Sequence, residues 1–328
     1  VCATAAAMFC RFAQARLAPL GRRSLANLAL LKELRAVSGA PVGDCKKALK
    51  ECDGLDDALD WLRKKGALTA AKKADRASSE GLVGLRTGRD FGLLLHLCSE
   101  TDFVARNERF QTLVNEALDA AEAQRAALGG NATGETRLVP LDVEKLLAQA
   151  VPGVDEALGD RVAAAVTAIR ENINIGRVLV LQPAPILGSY VHRSVVEGIG
   201  SAAALVALST PEPLADEQKE DALDVAKKLA MHVVAASPRY LNEADVPKDV
   251  IDSEKAIYAE TLPPGKPDHI VEKITMGKMK KWFSENCLVR QAHLVEESGD
   301  PVDKVLEEAS KRIGQPLSLD GFAHLKVG

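Results

Sequence analysis

The chain has 328 residues, 47% of them hydrophobic and 27% charged, and a net charge of −4. This length and composition are typical of a globular protein with two or three domains. The mild acidity excludes a protein whose whole surface is built to hold nucleic acid. No run approaches the roughly 20 apolar residues that a membrane-spanning helix needs.

The first segment in chain order, residues 1–27, has the composition of a leader. It contains Arg11, Arg16, Arg22 and Arg23, is rich in alanine and has no acidic residue. An amphipathic, arginine-bearing and acid-free N-terminus is typical of a mitochondrial transit peptide. The segment therefore predicts import into the mitochondrial matrix; the alternative is a disordered tail without a targeting role.

Residues 28–76 predict three short helices. Leucines at helical spacing open the first, Asp44 is placed to cap a second over 45–51, and Gly66 is placed to end a third. A bundle of this size buries little apolar surface. It is therefore expected to be a separate module, attached through a flexible joint over 72–80.

The remaining sequence predicts an α+β body. The runs LVGLRT and FGLLLHLCS flank a short turn and predict a β-hairpin. The second run is apolar on both faces, which is typical of a central strand, and a helix is expected over 103–127. Strand, turn, strand and helix then recur from ILGSYVHR onward, so we expect two related subdomains with antiparallel sheets, 77–182 and 183–328. Further helices are predicted near 247–261, 267–284 and 302–313.

The titratable residues do not form a recognisable active site. The six cysteines include no C-x-x-C pair, and the six histidines are scattered without an acid–base grouping. Phosphate-binding, nucleophile-elbow and zinc-protease motifs are missing as well. The sequence therefore predicts no catalytic residues, no metal and no cofactor.

The segment Thr101–Ala105, TDFVA, lies between a predicted strand and a predicted helix. Taken alone, it allows two interpretations. Asp102 can be an ordinary helix cap with Phe103 as a hydrophobic staple to the core. Alternatively, Phe103 is exposed at the turn and inserts into a partner, since an exposed aromatic side chain is typical of an interface anchor.

TDFVA resembles the signature of the elongation factor Ts family, and the resemblance extends along the chain from about residue 28. Similar blocks follow in the family's order: LKELRAVSGAPVGDCKKALKECDG, AAKKADRASSEGLVG, ENINIGRV, GSYVH, AMHVVAASPRYL, GKPDHIVEKITMGKMKKW and DGFAHLKVG. The resemblance implies a UBA-like N-terminal three-helix bundle and two related α+β subdomains. It also implies a guanine nucleotide exchange factor that forms a heterodimer with elongation factor Tu, without binding nucleotide, nucleic acid or membrane itself.

The resemblance also implies which residues contact Tu. In the family, the Asp-Phe pair protrudes into the partner GTPase, which assigns Phe103 as a wedge and Asp102 as its polar companion. The bundle would grip the GTPase domain, and the region around Met276 would grip a second domain of Tu. The implied contact residues are Thr101, Asp102, Phe103, Val104, Val42, Asp44, Cys45, His192, His232, Ile274, Met276 and Met279.

One departure resembles the mitochondrial members of the family. Bacterial members carry a longer helical hairpin in the second half, and the interval from Ser209 to Glu217 leaves no room for it. Two other functions stay open on the residues alone. The bundle also resembles ubiquitin-associated domains, as in an adaptor, and a folded pocket of titratable residues would indicate an enzyme.

Overall fold

The structure is a computed structural model, and it describes residues 20–127, 136–154, 156–261 and 267–328. The first 19 residues of the predicted leader lie outside the described residues. Within the described ranges, no helix is long and apolar enough to cross a membrane.

The N-terminal part is a bundle of three helices, α1 (Leu20–Ser38), α2 (Val42–Glu51) and α3 (Leu55–Lys73). Its small core consists of Leu34, Ala40, Cys45, Ala48, Ala58 and Leu62. Helix α1 begins before the predicted leader boundary at residue 27, so that boundary falls inside a helix. The prediction that Asp44 caps α2 is wrong, because the helix starts at Val42, three residues earlier than predicted, and its N-cap is Pro41.

Strands and helices alternate through the body. In chain order, they are β1 (Glu80–Thr87), β2 (Gly92–Ser99), α4 (Glu108–Ala127), β3 (Arg137–Pro140), α5 (Val143–Ala148), α6 (Leu158–Ile169), β4 (Asn174–Gln182), β5 (Ile186–His192), β6 (Ile199–Gly200), β7 (Ala202–Ser209), α7 (Asp216–Ala236), α8 (Lys248–Glu260), α9 (Asp268–Asn286), α10 (Val302–Ile313) and β8 (Ser318–Lys326). The predicted α+β class with antiparallel sheets is confirmed.

The joint between the bundle and the body is not the flexible linker that the sequence predicts. Helix α3 continues past Gly66, whose missing side chain lets it approach α6: a Cβ there would lie 3.2 Å from the Thr167 hydroxyl. Beyond α3, the Asn172 side-chain amide donates hydrogen bonds to the carbonyls of Ala74 and Arg76, at 3.4 and 2.8 Å. The bundle is thus fastened to the body at two places.

The two sheets of the body pack face to face. The first has the strand order β3-β4-β2-β1-β6, and the second has the order β5-β7-β8. Strand β2 is central, as predicted, with Leu93 and Leu95 facing the helices and Leu94 facing the second sheet. The first helical layer contains α4, α5 and α6, and the second contains α7 and α10. Each sheet is therefore covered on its outer face, and the interface between the sheets joins the two halves.

Helices α8 and α9 form a hairpin in the second half. The Lys278 ammonium on α9 lies 5.3 Å from the centre of the Tyr258 ring and 3.1 Å from the Thr261 hydroxyl at the end of α8. Met279 and Trp282 are buried in a cluster at the base of the hairpin. No hairpin lies between the end of β7 at Ser209 and the start of α7 at Asp216, in agreement with the short interval in the sequence; the hairpin of this half follows residue 247.

Candidate partner-binding surface

The segment after β2 is a short 3-10 helix, Asp102–Arg106, that presents Phe103 to solvent. The Phe103 side chain is 79% exposed, more than any other large hydrophobic side chain in the described ranges. Asp102 is exposed beside it. Helix α4 is capped instead by Asn107, whose side-chain oxygen accepts a 2.9 Å hydrogen bond from the Arg109 N–H. The interpretation of Asp102 as the cap and Phe103 as a core staple is therefore wrong.

The turn that carries Phe103 is held from below by Glu171. Its carboxylate accepts hydrogen bonds from the Thr101 N–H at 2.9 Å and the Thr101 hydroxyl at 2.6 Å. The Ser99 hydroxyl donates to the Thr101 carbonyl at 2.9 Å. Since both Thr101 donors end on one carboxylate, the start of the 3-10 helix has a fixed position.

A second acid ties the same turn to the loop before β4. Glu100 accepts a 2.6 Å hydrogen bond from the Asn172 N–H, and this bond holds the pKa of the Glu100 carboxyl below its usual range. Sequence reasoning missed Glu171 and Asn172 as supports of the site. Both stand in the block ENINIGRV, but its letters give no sign of contact with a turn 70 residues earlier.

Val104 is buried, in contrast to Phe103 beside it. Its side chain is only 5% exposed and packs into the first core with Phe110. The prediction of Val104 as a contact residue is therefore corrected: its burial anchors the turn while Phe103 beside it points outward.

A cleft of about 810 Å³ brings residues of both halves together next to the turn. Asp102 lines it from the first half, and His192, Arg193, Leu294 and Lys326 line it from the second. His192 is exposed, with its Nδ1 3.3 Å from the Tyr190 hydroxyl. Two of the predicted contact residues, Asp102 and His192, are thus neighbours on one surface.

His232 lies beneath this cleft and is fully buried. Its Nε2 is 3.0 Å from the Gln291 amide oxygen, and its Nδ1 accepts a 3.2 Å hydrogen bond from the Leu294 N–H. Burial lowers the pKa of His232, and Gln291 partly opposes that shift. The prediction of His232 as a direct contact is therefore wrong: the neutral ring positions the loop that holds Leu294, which is 61% exposed.

The neighbouring His293 reinforces that loop. Its ring stacks on His232 with the centroids 5.1 Å apart, and its Nδ1 accepts hydrogen bonds from the N–H groups of Val295 and Glu296. Burial and the adjacent His232 lower the pKa of His293 to about 4. Near neutral pH both rings are uncharged and both can accept these backbone bonds.

The three predicted contact residues on the bundle differ in their solvent exposure. Val42 is 37% exposed, whereas Cys45 is fully buried and its thiol donates to the Ala40 carbonyl at 3.5 Å. Asp44 is half-buried and accepts a 2.5 Å hydrogen bond from the Lys65 ammonium. Cys45 is therefore corrected to a core residue.

The three predicted contacts on α9 separate in the same way. Met276 is 64% exposed, Ile274 is half-buried, and Met279 is only 3% exposed within the cluster at the base of the hairpin. The prediction of Met279 as a contact is therefore wrong. Met276 lines a groove of about 700 Å³ together with Phe283 and Lys280.

Among the predicted contact residues, this surface exposes Phe103, Asp102 and His192. Among the described residues, no three histidine, cysteine or acidic side chains converge as metal ligands. What the surface offers is an exposed aromatic side chain on a fixed turn beside a largely apolar cleft with charged residues along it. Such an arrangement suits insertion into a complementary pocket of another protein.

Comparison with known proteins gives one family. The family model described as "Elongation factor TS" matches residues 100–328. The chain is 38% identical to elongation factor Ts of Paramagnetospirillum magneticum over 302 residues, which cover 91% of this chain and 90% of that protein. It is 36% identical to the Rhodopseudomonas palustris (strain BisB18) protein over 303 residues, covering 92% and 91%, and 38% identical to that of Syntrophotalea carbinolica over 306 residues, covering 91% and 92%. These relatives are bacterial.

Proposed function

This chain belongs to the elongation factor Ts family, whose members are nucleotide exchange factors for elongation factor Tu, and on that premise we propose that Phe103 is the wedge that releases GDP from Tu. The observation that carries the proposal is the 79% exposure of Phe103 on a turn whose position Glu171 fixes. A large apolar side chain held out in water is costly unless a partner receives it.

The physical basis of exchange is linkage between two binding events. If binding of this protein weakens GDP binding to Tu, GDP weakens binding of this protein by the same factor, and about 1.4 kcal/mol of coupling gives a tenfold change. Fast release also needs a ternary state in which the contacts of GDP are already broken. A wedge that shifts the elements around the Mg²⁺ and phosphate site of Tu removes the strongest of those contacts.

The exposed residues divide the work of binding. Phe103 enters the GTPase domain, and Asp102 supplies a polar contact at the base of the wedge. Val42, with the Asp44–Lys65 pair behind it, grips the same domain from the bundle, and Met276 on α9 grips a second domain. A protein that holds two domains can use their separation to force the wedge between them.

The test is release of labelled GDP from Tu by the variant Phe103→Ala. Because the side chain is exposed, we expect an unchanged melting temperature and GDP release at least about tenfold slower, since a hot-spot side chain commonly contributes about 2 kcal/mol or more. Leu138→Ala is the matched control, an apolar truncation on the β3 edge at a side chain that is 46% exposed. A destabilised Phe103→Ala protein with normal exchange per folded molecule would overturn the proposal.

We further propose that the protein acts in the mitochondrial matrix, as the partner of mitochondrial Tu in a heterodimer. The support is the acid-free, arginine-bearing segment 1–27. A fluorescent reporter that carries residues 1–27 should enter mitochondria, and the same reporter with its four arginines changed to glutamine should not. A reporter that stays in the cytosol with the native segment would contradict this localisation.

A further inference from the structure

A pocket of about 570 Å³ lies where the end of α1 meets the end of the 3-10 helix, the start of α4 and the end of α6. Three arginines line it: Arg35 from the bundle, and Arg106 and Arg109 from the body. All three are exposed, and none forms an ion pair with another described residue. By contrast, Arg63, Arg86, Arg125, Arg161 and Arg290 each pair with a carboxylate in the structure.

Arg109, the third arginine, packs against the backbone of Gly39 on the opposite side of the pocket. Gly39 has a φ of +67°, and a Cβ at this position would lie 1.2 Å from Nη1 of Arg109. The guanidinium of Arg109 therefore rests directly against the Gly39 backbone, in a space that a side chain would fill. The pocket is built from both the bundle and the body.

The pocket and the wedge face the same way. Arg106 follows Phe103 by three residues in the 3-10 helix, and side chains three apart in such a helix eclipse one another. Whatever receives Phe103 therefore passes close to the guanidinium of Arg106. The occupant needs apolar surface for the phenyl ring and negative charge for the arginines.

We propose that this arginine pocket binds a carboxylate-bearing segment of elongation factor Tu, next to the surface that receives Phe103. This rests on the proposed exchange function and names a further contact that serves it. Guanidinium groups pair with carboxylates through two parallel hydrogen bonds, which fixes orientation as well as charge. An acidic group seated here touches the bundle and the turn together and ties both to the partner.

The pocket fits a protein carboxylate better than a nucleic acid. Glu108 also lines it and would repel a closely spaced row of phosphates. The chain as a whole carries a net charge of −4. Phe103, the one aromatic residue of the 3-10 helix, points toward a protein surface in the proposed exchange reaction, not into a stacking platform of the kind that binds single strands.

The test is the variant Arg106→Glu in the full chain, with association to Tu·GDP followed by rapid mixing at several salt concentrations. A charge at the edge of an interface acts mainly on the association rate and its salt dependence. We expect association to slow by at least about tenfold at low salt and its salt dependence to flatten. Release of GDP from the complex once it has formed is measured separately and reports on Phe103, which is intact in this variant.

Arg89→Glu is the matched control, an equal charge change in the turn before β2, at the end of that strand opposite Phe103. Arg109→Gln removes one charge without reversing it and should give a smaller loss in the same direction. Thermal unfolding of each variant establishes that it is folded. If Arg106→Glu associated with Tu at the same rate as Arg89→Glu, the proposal that this pocket binds a carboxylate of Tu would be wrong.

Two further results would also decide the matter. If Arg106→Glu lost binding to unfractionated tRNA but kept its association with Tu, the pocket would be a phosphate site and the proposal would be wrong. If the wild-type protein itself failed to speed GDP release, the exchange function would fail independently of the pocket.

Discussion

At the scale of single residues, the site depends on two consecutive side chains, one exposed to solvent and the other buried. Phe103 is exposed and Val104 is buried, so one short turn carries both an anchor to the core and a projecting aromatic ring. The sequence locates this turn, but it leaves the choice between a staple and a wedge open, because burial depends on residues distant in the chain. Four predicted contacts, Cys45, Val104, His232 and Met279, are interior for that reason.

The contact between Thr101 and Glu171 is the feature of the site that sequence patterns could not give. It joins the turn after β2 to the loop before β4, 70 residues later. Local spacing rules describe helices and strands, and they contain no information about which loops meet at the end of a sheet. The carboxylate at position 171 becomes meaningful only when β2 and β4 pair.

Glu171→Ala should slow GDP release from Tu, because Thr101 loses both of its hydrogen-bond acceptors and the turn that carries Phe103 loosens. Glu171→Gln keeps one amide oxygen as an acceptor and should show a smaller defect. The loss of stability should stay near 1 kcal/mol per hydrogen bond, as for other bonds of this kind. The measurements are labelled GDP release and thermal unfolding.

Glu144→Ala provides the control for Glu171, since it removes an exposed acid from α5. If Glu171→Ala exchanged nucleotide as fast as this control per folded molecule, Glu171 would have no part in positioning the wedge.

At the scale of secondary structure elements, the sequence predicts which elements exist better than where they end. The three late helices and the central strand β2 are confirmed. Gly66 is misread as a helix end because glycine commonly follows the last turn of a helix. In the structure it lies inside α3, where α6 packs so closely that a Cβ would lie 3.2 Å from the Thr167 hydroxyl.

The hairpin of α8 and α9 shows a second limit of reading elements one at a time. The sequence predicts both helices but not that they pack against one another, a contact made by Tyr258 and Lys278 across a gap of 20 positions. The short interval after Ser209 stays a resemblance to the mitochondrial members that the structure does not test. The bacterial relatives match the chain over about nine-tenths of their length, and residues 1–27 remain the support for a mitochondrial role.

At the scale of the whole molecule, the repeated strand–turn–strand–helix pattern predicts two α+β halves. It does not predict how they join. Alternate residues of β7 face opposite sides: Ala204 and Val206 face the helices, while Ala203 and Leu205 face the first sheet. A run that is apolar at every position is consistent with burial of both faces of the strand. It does not show which element covers the second face.

The position of the bundle has the clearest consequence for the whole molecule. It packs on α6 through Gly66, and Arg63 forms an ion pair with Glu156 beside that contact. The bundle thus supports the body in addition to its proposed contact with Tu through Val42, a role that the expected flexible joint would not allow. The domain boundaries at 76 and 182 stay predictions, and β6 of the second segment pairs with β1 of the first.

A chain that begins at Ala77 separates these two roles of the bundle. The cores of both sheets lie beyond this point, and Ser78 still accepts a hydrogen bond from the Asn174 amide, so the body should fold. Its melting temperature should fall because the α6 face around Ala163 and Thr167 becomes exposed to water. Its affinity for Tu should also fall, while GDP release at saturation should persist because Phe103 remains.

In the full chain, Gly66→Leu should also lower the melting temperature, because the larger side chain forces α3 away from α6. Gly277→Leu is its control, because a Cβ at this helical position meets no atom within 4 Å. Calorimetry and titration with Tu measure the two effects, and unchanged affinity in the shortened chain would remove the bundle from the interface.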